Sequence, residues 1–102
     1  MPETHIEFPN EDVRRGRFAN HVASLFSPTE FTLEFGLVTP EGSSRDALNV
    51  LVQSRIIMTP QMFKIMVRHV SDALANYEKQ FGEIELPKEP RGPPQKQELH
   101  YR

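Results

Sequence analysis

Arg55-Ile56-Ile57-Met58-Thr59-Pro60-Gln61-Met62-Phe63 decides the fold, because within it the apolar spacing changes from that of a strand to that of a helix. Upstream, a strand over about Leu48 to Met58 alternates, with Val50, Val52, Ser54, Ile56 and Met58 on one face and Leu51, Gln53, Arg55 and Ile57 on the other. Thr59 is a good N-cap, and Pro60 occupies the first helical position, where its missing N–H costs nothing. Met58 and Phe63 hold the positions of a hydrophobic staple across that boundary. Downstream, apolar residues recur at Met62, Phe63, Met66, Val67, Val70, Ala73, Leu74, Tyr77 and Phe81, a helical stripe that Gly82 ends. About 22 residues at ~1.5 Å each make a helix of roughly 33 Å, close to the length of an eleven-residue strand, so the helix is expected to cover the sheet lengthwise.

Working back from that junction, Phe31, Leu33, Phe35 and Leu37 alternate with Thr32 and Glu34 in the most clearly patterned strand. Ser27-Pro28-Thr29-Glu30 supplies a tight turn before it, with proline at the second position. Arg17 to Phe26 reads as another strand, with Phe18, Val22 and Phe26 at even spacing. Thr39 to Arg45 is a loop by composition. The expectation is an α+β domain: an antiparallel β-meander of three or four strands, then one long C-terminal amphipathic helix packed on the sheet.

The ends differ in character. Residues 1–15 contain Pro2, Pro9 and four acids and read as a flexible N-terminal arm. Residues 87–102 hold four of the nine prolines with mixed charge and read as a disordered, proline-rich tail. The folding unit is therefore residues 16–86, a size at which a single core is marginal. With no cysteine there is no disulfide staple and no thiolate metal site, and oligomerisation is the common remaining source of stability. The cysteine-free composition fits a reducing cytoplasm. The first fifteen residues lack the apolar segment of a signal peptide, and no run is long enough to span a membrane. A net charge of −2 with mixed signs argues against nucleic acid as a partner.

Four blocks resemble one family: Phe18-Ala19-Asn20-His21-Val22, Ser27 through Gly36, Arg55 through Pro60, and Tyr77-Glu78-Lys79-Gln80-Phe81-Gly82. It is the small prokaryotic family catalogued as domain of unknown function 3467, and the resemblance spans roughly residues 16–84. It implies a fold and a cytoplasmic, prokaryotic origin, and it brings no catalytic residues with it. The strand-then-helix layout is also similar to that of the SecB export chaperone, an architectural analogy only.

No motif calls for catalysis. His69 and Asp72 could share a helix face, but no third metal ligand accompanies them, so neither a metal nor another cofactor is expected. His21 near Glu30 or Glu34 could make an acid–base pair, and a plain cross-strand hydrogen bond accounts for it as well. Met58, Met62 and Met66 form a ladder that suits either core filling or an adaptable groove. Two P-x-x-P matches run from Pro87 to Pro93. The sheet face away from the presumed core is more telling. Ala19, Ala23 and Leu25 in the first strand, with Leu51 and Ile57 in the third, would leave an apolar patch there, beside His21. The sequence therefore points to a non-enzymatic homo-oligomeric protein-interaction module, adaptor or chaperone-like, that self-associates through this face, most simply as a dimer. The alternative is a small ligand-binding or enzymatic subunit with a polar interface pocket around Asn20, His21 and Arg55.

Overall fold

A computed structural model describes residues 2–87. Five elements follow one another: α1 (Glu11–Arg15), β1 (His21–Phe26), β2 (Phe31–Thr39), β3 (Asn49–Met58) and α2 (Pro60–Phe81). The three strands form one antiparallel sheet in the order β1-β2-β3. The α+β class and the meander-then-helix order are those expected from the sequence. The proline-rich tail lies outside the described residues, apart from Pro87.

Local chemistry explains each boundary. Ser27 N–H donates to the Glu30 carbonyl at 2.9 Å, closing the β1–β2 hairpin around Pro28 and Thr29. Between β2 and β3, Asn49 Nδ2 donates to Thr39 Oγ1 at 3.0 Å and to the Glu41 carbonyl at 2.9 Å. The loop thus carries its own polar tie. Thr59 caps α2 as its sequence position implies: Met62 N–H donates to Thr59 Oγ1 at 3.2 Å. At the other end Gly82 takes φ 97°, a left-handed conformation that suits glycine, and its N–H donates to the Glu78 carbonyl.

An element within the expected flexible arm was not anticipated. Asn10 accepts from Val13 N–H at 2.9 Å and starts α1, a five-residue helix with Glu11 and Asp12 in its first turn and Arg14 and Arg15 in its last. That order of charges complements the helix dipole. The signal was legible: an N-cap asparagine, acids, bases, then a glycine at Gly16.

The register of β2 against β3 contains a bulge. Phe35 pairs with Ser54 and Gly36 with Val52, so Gln53 is the extra residue. Gly36 is needed there. A Cβ at that position would stand 2.7 Å from Val50 Cγ1 and 2.8 Å from the Leu51 carbonyl oxygen.

The chain forms two units, Met1–Val67 and Arg68–Arg102. In the first, the centre of the sheet is the most shielded region, with Ala23, Thr32, Leu33 and Glu34 buried. Phe31, paired with Met58 across β3, carries the Phe63 ring edge-on at 4.0 Å, so the start of α2 is seated on an aromatic pair. In the second, Tyr77 and Phe81 lie 5.1 Å apart on successive turns. No residue of α2 is buried, and Val67, Val70, Leu74, Tyr77 and Phe81 are exposed. Helical periodicity shows that a stripe needs cover and is silent about which surface supplies it.

Candidate functional site

Residues paired across neighbouring strands share a face, so the register assigns every strand residue to one side. One face carries His21 with Gly36 and Val52, Ala23 with Glu34 and Arg55, and Leu25 with Thr32 and Ile57. The other carries Val22 with Phe35 and Ser54, Ser24 with Leu33 and Ile56, and Phe26 with Phe31 and Met58.

This assignment changes the expected patch. His21, Ala23, Leu25 and Ile57 do share a face. Leu51 does not: it pairs with Leu37, which alternates with Gly36 along β2 and so belongs to the opposite face. The Gln53 bulge is the cause, since one extra residue reverses the alternation of everything beyond it. Val50 and Val52 take the place of Leu51 beside Ile57, and the closeness of Val50 Cγ1 to position 36 fits that placement. Ala19 precedes β1 and is exposed, Ala23 is buried, His21 and Leu25 are half-buried, and Ile57 is exposed. The accessible apolar part of this face is thus Val52 and Ile57, and the opposite face exposes Val22, Phe26, Leu51 and Ile56. Apolar surface lies on both sides of the sheet.

A charged pair sits at the middle of the first face. Arg55 Nε donates to Glu34 Oε2 at 2.9 Å, with the glutamate buried on the central strand and the arginine half exposed. Alternation had put Glu34 on the side of β2 away from Phe31, Leu33 and Phe35. On this central strand it is flanked by Ala23 of β1 and Arg55 of β3, which shield it.

Asn20 is engaged in the backbone. Its side-chain Oδ1 accepts from Val38 N–H at 2.8 Å, and its own N–H donates to the Gly36 carbonyl at 3.0 Å. Those bonds extend the β1–β2 pairing by one step beyond His21. Next to it, Arg17 Nη1 donates to Gln53 Oε1 at 3.2 Å, holding the segment before β1 to the bulge residue. Neither Arg17 nor Gln53 stood out in the sequence, because a bulge has no signature when the inserted residue is polar and its neighbours still alternate. Among the described residues no cluster of three His, Asp or Glu side chains is placed to hold a metal ion. Glu11 is held below the usual glutamate range by its hydrogen bonds from the exposed Arg14 guanidinium.

With the geometry in place, the chain can be set beside known proteins. Residues 1–86 match the family described as "Protein of unknown function (DUF3467)". The chain belongs to that family. No curated protein and no solved structure gives a match. The DUF3467 match begins at residue 1, so it takes in the arm and α1 as well as the sheet and the helix. Among the described residues no helix is long and apolar enough to cross a membrane.

Proposed function

We propose that this protein is a non-enzymatic homo-oligomeric protein-interaction module whose apolar surfaces are completed by further copies of itself, acting as an adaptor or a chaperone-like holder. The observation that carries this reading is the scarcity of core. Among the described residues the buried hydrophobic side chains are Ala23 and Leu33, and no large side chain is fully buried. Both sheet faces and the stripe of α2 present apolar side chains to solvent. Each such side chain forgoes a part of the about 1.5–3 kcal/mol that full burial brings. Ordering the backbone costs about 1–2 kcal/mol per residue, so a domain this open has little with which to offset that cost. Association of copies recovers the missing burial, and the same surfaces then suit apolar partner segments.

The residues of the alternative pocket support the structural reading. Asn20 is occupied with the β2 backbone, and Arg55 with Glu34. We place the module in a prokaryotic cytoplasm, the prokaryotic origin being what the family resemblance implies and the cytoplasm being supported by the cysteine-free sequence.

Sedimentation velocity over a hundredfold range of protein concentration tests the reading. A concentration-dependent dimer or higher oligomer is expected, with thermal stability rising alongside association. A folded monomer at every concentration, with a cooperative melt independent of concentration, would overturn it.

A further inference from the structure

The stripe of α2 has a finer order than amphipathicity. Phe63, Val67, Val70, Leu74, Tyr77 and Phe81 are spaced alternately by four and three residues, which is the seam of a two-helix coiled coil. From Val67 onward the seam is open: Val67 is 44 % exposed, Val70 54 % and Phe81 72 %. Lys64, Ser71 and Glu78 flank the seam on one side, and Met66, Ala73 and Gln80 flank it on the other. Arg68, Asp72 and Lys79 fall on the outward side.

These flanks decide both the partner and the direction. In a parallel pair of identical helices each flank faces the other kind of flank, so Lys64 and Glu78 would meet Met66, Ala73 or Gln80 and no opposite charges would pair. In an antiparallel pair each flank faces its own kind running the other way. Lys64 then meets Glu78 of the second copy, and the twofold axis repeats the contact. Along the seam the same alignment sets Val67 against Tyr77 and Val70 against Leu74, and brings Phe81 to the end where Phe63 already packs on Phe31 of its own copy. The axis passes beside Ser71 and Ala73.

We propose that two copies of this chain join through α2 as an antiparallel coiled coil, with Lys64 of each copy against Glu78 of the other. The pairing rests on the homo-oligomer reading and adds to it the surface, the direction and the register. It also gives the second half of α2 the cover that a short isolated helix in water lacks.

Sedimentation equilibrium of the full chain at low ionic strength, with charge-reversed variants, tests it. K64E and E78K each set like charges together twice, and each should weaken self-association by about tenfold. The double variant K64E/E78K should recover association to within about threefold of the parent. Glu78 Oε2 also accepts from Ile84 N–H, so recovery in the double variant, which lacks that bond too, isolates the charge contact. Because the chain has no cysteine, single thiols report direction. Ala73→Cys, beside the axis, should oxidise readily to a crosslinked dimer, whereas Gln80→Cys, on the same flank but far from the axis, should not. An oligomer that ignores the charge reversals, or in which Gln80→Cys crosslinks as well as Ala73→Cys, overturns this pairing and leaves the oligomer reading intact. A parent chain that stays monomeric throughout overturns both.

Discussion

Replacing Gly36 with alanine tests the β2–β3 register, on which the assignment of the two sheet faces depends. The added Cβ would lie 2.7 Å from Val50 Cγ1 and 2.8 Å from the Leu51 carbonyl oxygen, both closer than such atoms approach in folded proteins. The two contacts differ in how they can relax. Val50 can shift its rotamer, but the Leu51 carbonyl belongs to the strand, and moving it disturbs the ladder beside the bulge. Overpacking of this kind costs about 1–3 kcal/mol. Against it stands a gain of about 0.4–1 kcal/mol from the reduced freedom of the unfolded chain, available because Gly36 has no positive φ. The net expectation is a loss of about 1–2 kcal/mol, or a fall in Tm of about 5–15 °C for a domain of this size. Urea and thermal unfolding followed by circular dichroism at one fixed protein concentration would measure it. Adding Val50→Ala to Gly36→Ala should restore part of the loss and no more, because the carbonyl contact remains. A Gly36→Ala protein as stable as its parent would refute the register, and full rescue by Val50→Ala would refute the role of the backbone contact.

Two further substitutions probe individual hydrogen bonds. Thr59→Ala removes the acceptor for Met62 N–H and should lower stability by about 1 kcal/mol, measured as a shift in the urea midpoint with unchanged slope; Thr59→Ser should retain most of it. Asn20→Ala leaves Val38 N–H without its side-chain acceptor and should cost about 1 kcal/mol, with faster amide exchange at Val38 as the local readout. Equal exchange in parent and variant would show that the Asn20 bond does not hold that end of β2.

Much of the architecture was legible because it depends on near neighbours. The Thr59-Pro60 start and the Gly82 stop of α2, the Pro28 turn and the alternation of β2 are decided by backbone sterics and capping within a few residues, and all of them stand. The helix at Glu11–Arg15 was just as local and went unread because the prolines around it suggested an arm. The candidate patch fared differently. Its membership depended on the side of the sheet that each β3 residue takes, and one inserted residue, Gln53, moves Leu51 across. Alternation within one strand carries no record of such an insertion, since the bulge exists only relative to β2.

The sequence by itself determined the order of the three strands and α2, the two ends of α2, that α2 carries an apolar seam, and that the chain belongs among the DUF3467 proteins, whereas β1 starts at His21 and not at Arg17 as its alternation suggested. Only the tertiary structure decided that Glu34 is buried against Arg55, that Gly36 admits Val50, and that Gln53 is a bulge residue. The reason is physical. Periodicity and capping are properties of a continuous stretch of backbone, whereas burial and register are set by which distant segment lies alongside.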